Sequence, residues 1–281
     1  MNEYHPLSFS FIFFNLLPQD CKSRPKGVEV MHKIKVSFDK AEWWDKPSGK
    51  AIGIINNRIG SSIRELNPTS KDIGKFTFEV SCCGHTFCPA TFKGGRRGKE
   101  NFEQQQLFAL DFDNKNPDRS VSLEEVRARA KKYDLPLLFA YDTFSSVNHN
   151  KFRAVFLNDV PIPHRKIAEA MQLALGMIFP EADSSCYRDV SKMYFGGKER
   201  LYYDDAIPTI NIDSVFRGMT HHLKDTKGKH YREKLSKFSR ETGIALNKNG
   251  LLDVTMTDDP TEVPGATVNA NRKMSIFAGM K

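Results

Sequence analysis

The sequence predicts an α+β fold: a split βαβ core of the ferredoxin-like kind, preceded by an additional N-terminal α/β segment. Three observations predict it. Residues 107–113, 136–144 and 151–157 read as strands, two helical stretches follow the first and third of them, and a fourth short strand at 192–198 ends in two glycines. The order is strand, helix, strand, strand, helix, strand, which is the split βαβ pattern.

The first strand, LFALDFD (107–113), alternates cleanly. Phe108, Leu110 and Phe112 share one face, and Leu107, Ala109, Asp111 and Asp113 share the other. After the loop NKNPDR, Ser122 and Glu125 have the spacing of a capping box, opening a helix through about Lys132. PLLFAYDTF (136–144) reads as the second strand, and the polar turn SSVNHN leads to the third, KFRAVFL (151–157). The segment 161–179 reads as a helix with Ile167, Met171, Ala174 and Ile178 on one face. A loop with Asp183 and Asp189 then precedes KMYFGGK. In the usual sheet order the first strand is central, flanked by the third and the fourth. Asp111 and Asp113 would then share an edge with Lys151, Arg153 and the start of the fourth strand just after Asp183.

Upstream, residues 31–100 read as short strands and turns, with KFTFEV at 75–80 and the basic, Gly-rich stretch FKGGRRGK at 92–99. That stretch lacks the G-K-[ST] ending of a phosphate loop and reads as a mobile basic hairpin that touches template phosphates. Downstream, residues 221–240 hold seven Lys/Arg against two Asp/Glu. They read as a basic helix followed by a flexible polar tail. The expected organisation is an N-terminal extension (1–30), a catalytic domain (31–215), and the basic helix with its tail (216–281). MHKIKVSFDK reads like an opening strand, so Met31 is a candidate start and residues 1–30 an upstream extension.

With 42 Lys/Arg against 34 Asp/Glu, the net charge of +8 favours a polyanionic partner. The odd count of five cysteines argues against a disulfide framework and for a reducing, cytoplasmic setting. No run approaches the roughly 18–20 apolar residues of a membrane span. LSFSFIFFNLL has Glu3 rather than a basic leader before it and no clean small-residue cleavage site after it, which disfavours a signal peptide and a membrane partner.

The chemistry points to Asp111 and Asp113. Two residues apart on a strand, their carboxylates point the same way, and such like charges call for a cation between them. Mg²⁺ or Mn²⁺ fits, since hard cations take carboxylate oxygens and keep positions open for phosphate. Asp183, as a third carboxylate, would allow two ions. Lys151 and Arg153 share a face of the third strand and could grip a triphosphate. His149, in the turn before it, could donate to a phosphate. Cys82, His85 and Cys88, with Cys83 beside them, are tightly spaced and lack a second knuckle, so zinc is disfavoured.

The series FALDFDN, YDTFSS…KFRAVF and FPEADSSCYRDVSKMYFGGK resembles the archaeo-eukaryotic primase superfamily, in the branch found in plasmids, phages and integrative elements. LFALDFD matches that superfamily's hhhDhD strand, and Asp183 after FPEA matches its later hydrophobic-Asp motif. The resemblance implies Asp111, Asp113 and Asp183 as catalytic metal ligands. The family's Ser-x-His is not present. Ser146 stands three residues before His149, and Arg153 occupies the place of the histidine, which implies Arg153 as the main nucleotide-phosphate contact. SKMYFGGK matches a pattern with arginine where Lys192 stands, adding Ser146, His149, Lys151 and Lys192 to the nucleotide-binding set. Implied with these are an RNA-recognition-like fold and a two-metal DNA primase or primase-polymerase acting in replication of a mobile element. It would use a single-stranded DNA template, NTPs or dNTPs, and a separately encoded helicase. Two other readings compete: a non-catalytic replication initiator that binds nucleic acid, and a D-x-D nucleotide-sugar transferase.

Overall fold

The five-stranded antiparallel sheet at the centre of the computed structural model has a core on each side, and this explains its strands' sequences. The structure describes residues 33–247 and 249–252, with two short backbone strands beyond them, Thr267–Val268 and Met274–Ser275. The extension 1–30, the candidate start at Met31 and most of the polar tail lie outside the described residues. In chain order the elements are β1 (Ile34–Phe38), α1 (Lys50–Ile59), β2 (Ile63–Leu66), α2 (Ser70–Cys82), β3 (Phe87–Cys88) and β4 (Ala90–Phe92). They continue with β5 (Phe102–Phe112), α3 (Leu123–Lys132), β6 (Phe139–Thr143), β7 (Phe152–Ile162), α4 (Arg165–Ile178), β8 (Gly197–Tyr203), α5 (Ile212–Lys227) and α6 (Tyr231–Thr242).

The main sheet runs β4-β5-β7-β6-β8, and β1 forms a small second sheet with β2 and β3. Alternation in β5 separates the two cores. Phe108, Leu110 and Phe112 pack with Val126 of α3, Met171 and Ala174 of α4, and Phe216 of α5. Leu107 and Ala109 pack on the other side with Val36 of β1 and Phe76 of α2. A sheet covered on both faces calls for continuous apolar runs, as β5 has at Leu107–Leu110 and β7 at Ala154–Leu157. The capping box at α3 is formed: Ser122 Oγ accepts from Glu125 N at 3.2 Å, and the Glu125 carboxylate accepts from Ser122 N at 2.7 Å.

Residues 31–100 hold two helices rather than only short strands and turns. KFTFEV lies inside α2, whose start is capped by Thr69 accepting from Asp72 N. Phe76, Phe78 and Val80 imitate a strand, but the buried set is Ile73, Phe76, Thr77 and Val80, while Phe78 is 49% exposed. That i, i+3, i+4, i+7 spacing is helical. FKGGRRGK does connect two antiparallel strands, β4 and β5. It is tethered rather than mobile: Arg97 Nε donates to Asn56 Oδ1 at 2.7 Å, and Lys99 Nζ to the Arg188 carbonyl at 2.7 Å. The expected single basic helix at 221–240 is α5 and α6, broken at Gly228, where φ is +50°. The boundary at 215/216 falls inside α5, whose Val215, Phe216 and Met219 are fully buried.

The largest correction concerns the fourth strand. β5 lies between β7 and β4, and β8 pairs with β6 at the far edge. Tyr194, in the segment expected to pair with β5, makes an isolated bridge to Phe87 instead. The two glycines explain the diversion. A Cβ at Gly197 would stand 1.9 Å from the Asp142 carbonyl oxygen, and one at Gly196 would stand 2.3 Å from the Gly84 backbone. Only residues without side chains let the chain cross here onto β6. Along the part of β5 beyond β4, single hydrogen bonds replace a ladder. The Ala109 carbonyl accepts from Gln172 Nε2 and from Tyr194 OH, each at 2.8 Å, and the Asp111 carbonyl accepts from Asp183 N at 2.7 Å. No helix among the described residues is long and apolar enough to cross a membrane.

Two glycine substitutions separate close approach from free space. Gly197→Ala forces a methyl group against the Asp142 backbone and should lower stability by about 1–3 kcal/mol in urea unfolding. Gly53→Ala, on α1 with nothing within 4 Å, should raise it by roughly 0.5–1 kcal/mol.

Candidate active site

The C-terminal end of β5 assembles the acids and bases that the sequence singles out. Antiparallel register sets Asp111 opposite Arg153 on β7. Arg153 Nε donates to Asp111 Oδ1 at 3.2 Å, and Nη2 approaches Oδ2 at 3.4 Å. Its Nη1 reaches the Tyr141 hydroxyl at 3.3 Å and also donates to the Phe195 carbonyl. The guanidinium lies 5.7 Å from the Tyr141 ring centroid and 5.6 Å from that of Tyr194. Burial opposes its charge, but the Asp111 carboxylate and Tyr141 outweigh this, so its pKa is raised. Burial also pushes the Tyr141 hydroxyl up to about 12. Arg153 is only 9% exposed, and each of its three nitrogens has a hydrogen-bond partner. This arrangement fixes the guanidinium against the Asp111 carboxylate, Tyr141 and the Phe195 carbonyl.

Asp113, one residue past the end of β5, is held between two lysines. Lys151 Nζ is 3.0 Å from Oδ1, and Lys115 pairs with Oδ2. Burial raises its pKa, but hydrogen bonds from the two lysines prevail, and the carboxyl stays below its ordinary range. The turn that follows is fixed by Asn114, with φ of +42°, whose side chain accepts from Val121 N at 3.0 Å and donates to the Val121 carbonyl at 2.8 Å. Asp183 comes to the same edge through its backbone bond to Asp111. Its carboxylate accepts from Ser185 N at 2.9 Å and Ser185 Oγ at 2.6 Å, with Lys192 Nζ 3.6 Å away. Against the effect of burial, these groups lower its pKa. Lys192 also donates to Ser185 Oγ at 2.7 Å, so it supports the Asp183 loop.

Asp113 and Asp183 face a cleft of about 680 Å³, whose other walls include Lys115, Arg119, Lys227 at the end of α5 and Lys234 on α6. Acids thus lie across from amines supplied by the C-terminal helices. Nothing in the sequence pattern joins those helices to this edge, and their basic composition is the one signal it offers.

Ser146 and His149 are brought together elsewhere, on Asp142. Ser146 Oγ donates to Asp142 Oδ1 at 2.9 Å, and His149 Nδ1 lies 2.6 Å from Oδ2. The Asp142 carboxylate raises the His149 pKa, with Glu199 and Glu124 adding to the effect. Among the described residues, Asp142, His149 and Glu199 are the set of three potential ligands whose donor atoms all lie within 4.8 Å of one another. The carboxylates of Asp111, Asp113 and Asp183 are spread wider, each turned to its own cation. Sequence reasoning missed Asp142, Tyr141, Tyr194 and Glu199. The period of YDTF, which places Tyr141 on one face and Asp142 on the other, could have flagged the first two.

The cysteine group has other partners. The Cys88 thiol is fully buried, pushed up to about 12 by burial, and lies 3.8 Å from the Val190 carbonyl. His85 stacks on Phe38, and its Nδ1 lies 3.1 Å from the Asp39 carbonyl.

No family model and no curated protein matches the chain. Among solved structures, it is similar to the AEP domain of the cyanophage S-2L primase-polymerase, with 8% identity and a TM-score of 0.34. The similarity covers 56% of this chain and 80% of that one.

Arg153→Leu leaves Asp111 and the Tyr141 hydroxyl facing an apolar side chain. It should destabilise the protein by about 3–5 kcal/mol in chemical denaturation, as removal of one partner of a buried pair does. A solvated phosphate clamp would show a loss within about 0.5 kcal/mol.

Proposed function

We propose that this chain is a template-directed nucleotidyltransferase of the primase-polymerase kind, with an RNA-recognition-like core in its β5-β7-β6 strands and a catalytic edge formed by Asp111, Asp113 and Asp183. The observation that carries the reading is the 2.7 Å hydrogen bond from Asp183 N to the Asp111 carbonyl. It joins residues 72 positions apart (183 − 111) that the primase resemblance pairs independently.

The donor set fits hard divalent cations. It consists of carboxylate oxygens, and the ammonium groups of Lys115, Lys151 and Lys192 beside Asp113 and Asp183 mark the positive charge that these acids demand. Two ions of the Mg²⁺ or Mn²⁺ class would supply activation of a 3′-hydroxyl and stabilisation of the departing pyrophosphate. Arg153 holds the Asp111 carboxylate in one orientation. Lys151, with its ammonium at the mouth of the site, is the residue best placed to move from Asp113 to a triphosphate. Lys192 fixes the loop that carries Asp183. Ser146 and His149, engaged with Asp142, shape the turn that delivers Lys151.

The cleft favours a nucleic-acid strand on the far side of the acids. Lys227 and Lys234 stand there, and neither has an ion-pair partner among the described residues. They would take template phosphates, while Arg119 is partly committed to the Pro180 carbonyl at 2.7 Å. A polyanion held by lysines beside a metal-neutralised acidic edge is consistent with the net charge of +8. An all-antiparallel main sheet does not favour the nucleotide-sugar transferase, which wants parallel strands with crossover helices. In this reading, replication of a mobile element with a separately encoded helicase is the setting, and both NTPs and dNTPs are candidate substrates.

Purified protein with a DNA template, with or without a primer, should incorporate labelled nucleotide in Mg²⁺ or Mn²⁺. Asp111→Ala with Asp113→Ala should lower the rate by at least about 10²–10³-fold, the scale of losing one strong electrostatic contributor. Product from the double variant equal to that of the parent would reject the assignment. Reversing Lys227 and Lys234 to glutamate should weaken single-stranded DNA binding. The slope of log K against log salt should become shallower by about 1.4, roughly 0.7 for each phosphate that is no longer neutralised. An unchanged slope removes the two lysines from the strand path.

A further inference from the structure

The polymerase reading leaves one group of potential ligands without a chemical role. Asp142 at the end of β6, His149 in the β6–β7 turn and Glu199 on β8 place three donor atoms within 4.8 Å of one another. They face away from the Asp111 edge. In the β6–β7 ladder Tyr141 pairs with Arg153 and Asp142 with Phe152, so Asp142 lies on the Phe152 side, toward α3. On β8, Arg200 points to α2, donating to Thr77 Oγ1 at 3.1 Å, and Glu199 alternates to the other face.

Charge distinguishes this cluster from the three aspartates. Asp111 has Arg153, Asp113 has Lys115 and Lys151, and Asp183 has Lys192. Among the described residues, no lysine or arginine pairs with Asp142 or Glu199, and the imidazole is their sole cationic companion. The Asp142 side chain is only 10% exposed, so its charge is not left to solvent. Its other oxygen is fixed by Ser146 Oγ, which in turn accepts from Lys151 N at 3.1 Å. A carboxylate oriented from behind by a hydroxyl has the outer-shell support typical of metal ligands.

We propose that Asp142, His149 and Glu199 bind a first-row divalent cation of the Mn²⁺–Zn²⁺ class, separate from the catalytic edge, with water completing its coordination. An imidazole with two carboxylates suits such borderline ions better than Mg²⁺. Metal–ligand bonds of about 2.0–2.2 Å put neighbouring ligands roughly 3.3 Å apart in a tetrahedral site. The 2.6 Å contact between His149 Nδ1 and Asp142 Oδ2 therefore opens slightly as the ion replaces the proton they share, and that proton leaves to solvent. Asn148 and His149 both have left-handed backbone, with φ of +51° and +58°, and the ion would tie their turn to the start of β8.

Cobalt(II) is a suitable probe, since its visible d–d absorption reports coordination directly. Titration of the full chain, freed of metal, should give one saturable band that Zn²⁺ displaces. His149→Ala and Glu199→Gln, both at exposed positions, should each weaken the site by at least about 10–100-fold, as losses even in the outer shell do. The Asp111→Asn, Asp113→Asn variant should keep the band. No band, or a band unchanged in both His149 and Glu199 variants, overturns the proposal, the latter marking cobalt bound elsewhere. A band lost with the Asp111 and Asp113 changes alone also overturns it. Extension activity, measured in parallel, separates the two sites: a polymerase without the band leaves the catalytic reading standing, and a band without polymerase activity leaves this site standing.

Discussion

The candidate site depends on how one exposed strand edge is satisfied. Beyond the short β4, β5 has a strand on one side only, and its carbonyls at Ala109 and Asp111 need donors. Gln172 and Tyr194 serve the first, and the backbone N–H of Asp183 serves the second. A continuous fourth strand would have closed the edge uniformly. The irregular loop closes it at chosen points instead, and one of those points delivers a third carboxylate to the end of the strand. On the other side of β5, the register with β7 sets Arg153 against Asp111. The two contacts together fix the acid from its backbone and from its carboxylate.

Burial makes this arrangement firm. The sheet lies between two apolar cores, so β5 cannot slip by one residue without turning Phe108, Leu110 and Phe112 out of their core. Arg153 reaches the boundary of the other core between Tyr141 and Tyr194, where its charge persists because Asp111 compensates it. Replacing the guanidinium with an ammonium would lose the fork that contacts both carboxylate oxygens. The same burial leaves the Arg153 side chain 11% exposed, against 22% for Lys151 just before the strand.

The alternating strand and its aspartates are legible in the sequence because period two is a local property. The Ser122–Glu125 box and the apolar face of α4 are legible for the same reason. The helix α2 is not, because Phe76, Phe78 and Val80 carry a strand period while the longer spacing from Ile73 carries a helical one. The placement of β8 depends on close approaches at Gly196 and Gly197, and a glycine pair does not reveal which backbone it will touch. The contacts of Arg153 and His149 are not legible because their partners, Tyr141, Phe195 and Asp142, become neighbours only in the folded chain. Lys227 and Lys234 are visible as charge, but their position across from Asp183 requires the packing of α5 against α4.

Charge divides this end of the sheet into two environments. At the end of β5, three carboxylates are each matched by a lysine or arginine. At the end of β6, a buried carboxylate and an exposed one share a single imidazole. That the matched group is the catalytic one is tested most directly by crystals grown with Mn²⁺ and a non-hydrolysable nucleoside triphosphate. Anomalous difference density should show two peaks about 3.5–4 Å apart, bounded by Asp111, Asp113 and Asp183, with the triphosphate beside Lys151. Manganese and triphosphate bound together elsewhere, with the three aspartates still held by Arg153, Lys115, Lys151 and Lys192, would contradict it.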